Sequence, residues 1–245
     1  MSYHYRIFCR HNMLFKRPFS ATAQYSGTIP SDFHFIPDFF SVFEQRTLLS
    51  AALLRLDGAG SRRFQRKRKS FLNPLGSNCE GPPAELFLPD DCYEFLQGHY
   101  DGVIRNFREM HLTSWPTNEI LGLLPVLNRL HSLIPSHNIQ THLLHLASDG
   151  EIFPHVDNVS ASGRWILGVS LGSERILRLE SCTHPDEGAE ILLPSGSVYI
   201  QSDNVRFKYK HSILKNSASL SGIGQRMGQR ISIMIRDLHD NHDVS

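Results

Sequence analysis

In Phe153-Pro154-His155-Val156-Asp157 an imidazole and a carboxylate stand two residues apart. Side chains on an extended backbone alternate with period two, so both project from the same side of a strand. Two metal-ligand types then meet at one point. A third nitrogen ligand from elsewhere would complete the 2-His-1-carboxylate facial triad that holds non-haem Fe(II) and leaves positions open. With 14 histidines in 245 residues the dipeptide spacing recurs by chance, as His99-Tyr100-Asp101 and His184-Pro185-Asp186. The choice among the three therefore falls to their surroundings.

From Ile139 onward, short apolar runs are separated by turn signals at intervals of about ten residues, the pattern of an all-β sandwich or barrel. The expected strands are Gln140–Ala147, Glu151–Asp157, Arg164–Leu171, Arg175–Glu180, Ala189–Leu193, Ser197–Gln201, Phe207–Ile213 and Gln229–Asp237, with a turn at Ser148-Asp149-Gly150. Eight strands in two packed sheets make a jelly roll. The fold class is mostly β with flanking helices: a double-stranded β-helix (jelly roll) core with N-terminal helices packed outside.

Folded structure is expected to begin at Phe33, with Phe33–Ile36 extended. Pro37 and Asp38 suit the start of a helix running to Gly58, with Phe39, Phe40, Phe43, Leu48, Leu49, Ala52 and Leu53 at near-helical spacing. Ser61–Lys69 carries six basic side chains and reads as a solvated loop or edge strand, or as a contact for phosphates of RNA or an anionic lipid surface. A long irregular loop follows to Pro89. Tyr93–Met110 is read as a helix, which puts His99 and Asp101 on different faces. A second helix is expected over Pro116–Ile134, kinked or split at Pro125, with His131 on its apolar stripe as a satisfied core histidine.

Hydrophobic residues make up 40% and charged residues 20% of the chain, ordinary for one soluble domain with appendages. A net charge of +1 argues against a surface built as a whole for nucleic acid. No apolar run reaches the roughly 18 residues of a membrane span. Cys9, Cys79, Cys92 and Cys182 have no regular spacing and read as free thiols of a reducing compartment. The first 31 residues contain no acid but carry Arg6, Arg10, Lys16 and Arg17, the composition of a mitochondrial transit peptide over residues 1–25; a disordered arm is the alternative. The organisation expected is therefore a leader (1–25), one domain (33–238) and a disordered polar tail (239–245).

Three pieces converge on the first motif. His155 and Asp157 end one strand, and His211 lies on a later one. In Arg230-Ile231-Ser232-Ile233-Met234-Ile235-Arg236 the isoleucines share one face and both arginines share the other. Two arginines in a barrel interior are costly unless an anion meets them. They stand about 20 Å apart along the strand, and long guanidinium side chains can converge on a dicarboxylate between them. His184-Pro185-Asp186 has a proline between its ligands and too little chain before His211, and Arg62 to Arg68 repeats the arginine spacing upstream of every ligand.

His-x-Asp, then His, then two arginines six apart resembles the AlkB family of Fe(II)- and 2-oxoglutarate-dependent dioxygenases, over roughly Phe35 to Leu238. The resemblance implies that His155, Asp157 and His211 bind Fe(II), and that Arg230 pairs with the distal carboxylate of 2-oxoglutarate. It also places Arg236 near Asp157 and the keto-acid end, and has Tyr199 hydrogen-bond the cosubstrate. Residue by residue, Tyr199 could instead be a strand aromatic with a satisfied hydroxyl, and Arg236 an edge ion-pair partner. DNA-repair members carry Asn-x-Tyr on the strand before the ligands, where this chain has Leu144 and Leu146.

With the leader and Arg105-Asn106-Phe107-Arg108-Glu109, that departure makes the chain similar to a mitochondrial subgroup. The subgroup lacks a nucleotide-recognition lid and is linked to fatty-acid metabolism and programmed necrosis. The implied activity is hydroxylation, or oxidative demethylation, of a mitochondrial matrix substrate using Fe(II), 2-oxoglutarate and O2. Protein, lipid-related metabolite and RNA stay open as substrates, and duplex DNA is disfavoured. The readings from other classes are a regulatory metal-binding scaffold that needs no turnover and a cupin-like protein of another metal, in which the paired arginines have no purpose.

Overall fold

The computed structural model describes residues 25–58, 60–72, 81–136, 138–160, 162–184, 186–214 and 228–238. The N-terminal half contributes β1 (Tyr25–Gly27), β2 (Phe33–Ile36), α1 (Val42–Gly58), α2 (Arg62–Leu72), β3 (Leu96–Gly98), β4 (Ile104–Leu112) and α3 (Leu123–His131). Then come β5 (Ile139–His155), β6 (Trp165–Gly172), β7 (Arg175–Ser181), β8 (Gly188–Leu193) and β9 (Val198–Ser202). A short α4 (Asp203–Lys208) leads into β10 (Tyr209–Leu214), and β11 (Arg230–Asp237) closes the fold.

Strand β5 joins two antiparallel layers. Its first half pairs with β11 through Ile139–Leu146, and β11 continues to β6, β9 and β2. Its end pairs with β10, which continues to β7, β8 and β1. Strand β4 runs along the other edge of β5 and carries β3. The mostly β jelly roll anticipated from the sequence is the fold.

Period-two alternation divides the apolar residues between two cores. Trp165, Leu167, Val169, Leu171, Ile231, Ile233 and Ile235 face outward from the first layer, against Leu48, Leu49, Leu53, Leu127 and Leu130 of α1 and α3. Between the layers lie Phe107, Leu144, Leu146, Leu177, Ile191, Tyr199 and Ile213. Gly168, Ser170, Arg230, Ser232, Met234 and Arg236 alternate with the outward set and so share this inner face.

Several sequence expectations need correction. Tyr93–Met110 is not helical but a hairpin of β3 and β4. A register shift between Arg105 and Phe107, where Asn106 has φ 49°, interrupts the alternation and hides the strand period. His99 and Asp101 sit in its turn, 2.7 Å apart, not on opposite faces of a helix. Residues 148–150 do not reverse the chain: β5 runs through them as one strand bent between layers. Asp157 falls just beyond its end.

The basic run forms α2, neither a loop nor an edge strand. The first helix starts at Val42, where Ser41 and Glu44 close a capping box: Ser41 N–H donates to Glu44 Oε2 at 2.8 Å and Glu44 N–H to Ser41 Oγ at 3.3 Å. Helix α3 is shorter than expected and is not kinked, because Pro125 lies in its first turn, where no intrahelical N–H is needed. His131 is exposed, and described structure begins at Tyr25, ahead of Phe33. The leader up to residue 24, Cys9, Cys79 and the tail from 239 lie outside the described residues.

On the helix-facing side of β5, His145 is fully buried and fully partnered. Arg108 Nε donates to its Nδ1 at 2.9 Å, and its Nε2 meets Gln229 Oε1 at 2.9 Å. Gln229 Nε2 donates to Leu88 O at 2.6 Å, and Asp57 takes Arg108 at 2.6 Å and Arg68 at 2.9 Å. Burial, then the Arg108 charge, pushes the His145 pKa well below 6.5. Above that pH both folded and unfolded states are neutral there. Below it the unfolded chain takes up a proton that folded His145 refuses, so stability is lost as pH falls. Urea unfolding at pH 7.5 and 5.5 should show this loss, reduced in His145→Gln, whose amide can serve both partners.

Candidate metal centre

His155 and His211 are cross-strand partners in the β5–β10 ladder, and that pairing sets their rings 4.3 Å apart between centroids. Asp157 turns back toward them just past β5. Its Oδ1 lies 3.4 Å from His155 Nε2 and its Oδ2 3.8 Å from His211 Nε2. One ligand atom from each residue lies within 4.8 Å of the other two. Such spacings suit ligand atoms about 2.1 Å from a shared ion. His155 Nδ1 meets Phe153 O at 2.9 Å, which assigns the proton to Nδ1 and leaves Nε2 as the lone-pair nitrogen.

The three groups perturb one another. Burial opposes ionisation of Asp157, but His211, His155 and Arg236 outweigh it and hold the carboxyl far below its usual range. Burial pushes His211 down to about 4, keeping a neutral imidazole able to donate its lone pair. For His155 burial works the other way from the Asp157 carboxylate, and the carboxylate prevails, raising its pKa.

Arg206 of α4, absent from the sequence reading, fixes the chain that carries Asp157. Its guanidinium is buried and donates to Asp157 O at 3.0 Å, Asn158 O at 3.1 Å and Ser162 Oγ at 2.7 Å. Nothing in Asn204-Val205-Arg206 advertises that role, since its partners lie over forty residues upstream.

The inner face of β11 supplies the neighbouring site. Arg230 is wholly buried, and its Nε donates to Ser170 Oγ at 3.0 Å, while Nη1 and Nη2 have no hydrogen-bond partner. Burial lowers its pKa to about 10, and the Tyr199 ring lies beside it. A buried guanidinium with two open nitrogens fits an anionic ligand group that takes both. Arg236 Nη2 lies 3.4 Å from Asp157 Oδ1, linking this face to the triad. Tyr199 occupies its position because Gly168, its β6 partner, has no side chain: a Cβ there would sit 2.3 Å from Tyr199 Cζ. A glycine inside a strand signals such an approach, and that signal was available in the sequence.

The structure brings His155, Asp157, His211, Tyr199, Arg230 and Arg236 to one face. It leaves His184 in an exposed turn. It also puts Arg68 behind the sheet, paired with Asp57. A cleft of about 440 Å³ between α2 and β4 has Arg63, Phe64, Lys67, Tyr93, Glu109 and Met110 among its walls, and none of the triad residues.

A protein-family model for the 2OG-Fe(II) oxygenase superfamily matches residues 32–236. The chain belongs to this superfamily. It is 33% identical over 178 residues to alpha-ketoglutarate-dependent dioxygenase alkB homolog 7, mitochondrial, of Bos taurus, covering 70% of this chain and 77% of that protein. The Mus musculus protein of the same name is 34% identical over 149 residues, covering 60% and 66%. Among solved structures, OsALKBH1 superposes with a TM-score of 0.51 at 12% identity over 86% of this chain and 100% of that one, a likeness of fold. As a superfamily member, the protein is a 2-oxoglutarate-dependent dioxygenase whose cofactors are Fe(II), 2-oxoglutarate and O2.

Gly168→Ala should force the Tyr199 ring aside and destabilise the fold by about 1–3 kcal/mol, as overpacking does. The urea midpoint measures this, and most of the penalty should vanish in a Tyr199→Leu background.

Proposed function

We propose that His155, Asp157 and His211 hold Fe(II), and that Arg230 with Tyr199 binds the distal carboxylate of 2-oxoglutarate. Arg236 holds Asp157 and the keto-acid end in place. The observation that carries this reading is the Arg230 guanidinium, buried with two unpartnered nitrogens on the inner face that also bears the triad. When bound, Fe(II), 2-oxoglutarate and O2 supply an oxidation in which the cosubstrate becomes succinate and CO2 while a substrate C–H bond is hydroxylated. The protein's part is positional. The ladder pairs the two imidazoles, Phe153 O orients one of them, Arg206 anchors the turn of Asp157, and apolar neighbours exclude water around Arg230.

The substrate proposed is mitochondrial, in a role connected with fatty-acid metabolism and programmed necrosis. The names of the bovine and mouse relatives and the acid-free, arginine-bearing leader support that location. On this reading residues 1–25 are a matrix-targeting peptide and 33–238 the catalytic domain. Hydroxylation on carbon leaves a stable alcohol, whereas on an N-methyl group the product loses formaldehyde and the reaction becomes a demethylation. The basic helix gives RNA little support as the substrate. It packs through Arg68, Asp57 and Arg108 on the side of β4 opposite the triad.

Anaerobic titration with Fe(II) and then 2-oxoglutarate tests the assignment, with succinate release in air as the second readout. His211→Ala should abolish iron binding and succinate release. Arg230→Met should raise the half-saturating 2-oxoglutarate concentration by about 30-fold or more, equivalent to about 2 kcal/mol. Iron binding by His211→Ala at the native level, or unchanged saturation in Arg230→Met, would refute it.

A further inference from the structure

Most inner positions of the jelly roll are apolar, but toward the end of β4 and the start of β5 they are not. Glu109 and His111 follow Phe107 on the inner face of β4, and His142 precedes Leu144 and Leu146 on that of β5. His142 Nε2 lies 3.1 Å from Glu109 Oε2, and its ring stacks on His111 with centroids 4.7 Å apart. On the other side of the carboxylate, His99 Nε2 lies 3.8 Å from Glu109 Oε1, and His99 Nδ1 lies 2.7 Å from Asp101 Oδ1. Acid and imidazole therefore alternate along one wall: Asp101, His99, Glu109, His142.

The wall joins the metal centre at its His142 end. His142 pairs across the ladder with Met234, whose Sδ lies 3.8 Å from Arg236 Nη2, and Arg236 in turn reaches Asp157. The His142 side chain is 7% exposed, and its Nδ1 has no hydrogen-bond partner, a deficit of about 1–3 kcal/mol unless something fills it. The hydrogen bond with His142, and the charges of His99 and His111, hold the Glu109 carboxyl below its usual range.

We propose that this wall is the substrate-recognition face, and that Glu109 and Asp101 receive the ammonium or guanidinium group of a lysine or arginine side chain in a polypeptide. The inference rests on the dioxygenase reading above, since the wall faces a substrate only if the triad holds the metal. Two carboxylates along one wall attract a cation and repel a chain of phosphates. The Arg236 charge does not cancel them, because Asp157 already meets it. Tyr100 adds to the fit: it is 94% exposed, its ring lies 4.1 Å from that of His99, and it offers an aromatic face to a cation or its aliphatic stem. His142 and His99 act as positioning residues that hold the Glu109 carboxylate between them.

The test is calorimetric titration of the full chain, loaded with Mn(II) and 2-oxoglutarate, with the peptides Ac-Gly-Gly-Xaa-Gly-Gly-NH2, where Xaa is Lys, Arg, Gln or Glu, and with decauridylate. The Lys and Arg peptides should bind about 10-fold tighter than the Gln peptide, the equivalent of about 1.4 kcal/mol, with the Glu peptide weakest. Glu109→Gln should reduce that preference to about 3-fold or less, while Arg66→Ala with Lys69→Ala on α2 should leave it intact. Asp101→Asn, in an exposed turn, repeats the test if circular dichroism shows Glu109→Gln to be unfolded. Equal binding of the Gln or Glu peptide, tighter binding of decauridylate, or a preference unmoved by the carboxylate substitutions overturns the inference. If Mn(II) and 2-oxoglutarate bind and the ranking is flat, the recognition face alone is wrong. If they do not bind, the reading of the site falls and takes this one with it.

Discussion

The pairing of His155 with His211 across the β5–β10 ladder is the constraint on which the rest of the centre depends. Ladder register is all-or-none: a slip of one residue would turn one imidazole to the opposite face. What holds the register is burial on both sides of the pair. Ile152 and Ile213 pack into the inner core beside it, and Leu177 and Leu179 back β10 from β7. Because β5 also lies against β11 over its first half, the strand that fixes two ligands fixes Arg230 and Arg236 relative to them. A single 17-residue strand thus sets both ends of the site.

The two buried histidines of that strand show how function separates from support. His145 faces the helices, with a partner at each nitrogen and aromatic rings of Phe87, Tyr93 and Phe95 around it. His142, three residues earlier on the inner face, has an open Nδ1 and a carboxylate neighbour. The same residue type therefore stabilises one side of the sheet and leaves hydrogen-bonding capacity on the other. Arg206 and Arg230 repeat the contrast. The first spends its terminal nitrogens on Asp157 O, Asn158 O and Ser162, whereas the second keeps both of its own open. Buried polar groups that lack partners mark where a ligand belongs.

Much of this was legible in the chain, for a physical reason. The isoleucines of β11 alternate without interruption, so the shared face of Arg230 and Arg236 followed from strand period alone. The hairpin of β3 and β4 was not legible. Its alternation breaks at Asn106, which hides the line of Asp101, His99 and Glu109 that the hairpin assembles. Ser148-Asp149-Gly150 carries the residues of a turn, so the continuous strand β5 reads as two from the sequence. Here Gly150 passes so close to β4 that a Cβ would sit 2.7 Å from Asn106 O, and Asp149 accepts from Asn106 at 2.9 Å, so turn chemistry serves a bend. Local signals name residues that permit a conformation, while the partner strand decides which one is adopted.

Leu144 and Leu146 stand where the resemblance to the AlkB family would put the asparagine and tyrosine of its DNA-repair members. Both leucines are buried in the inner core, opposite Ser232 and Arg230. With apolar groups there, β5 offers no side-chain hydrogen bond to a cosubstrate at those two positions, and the proposed hold on its distal carboxylate rests on Arg230 and Tyr199. The dry surroundings strengthen that hold, since an ion pair deepens as water is excluded. Polar function on β5 reappears two residues earlier, at His142, where the strand faces the open end and Glu109. Along the inner face of β5 the side chains thus change from the apolar pair Leu144 and Leu146 to a polar His142 beside Glu109.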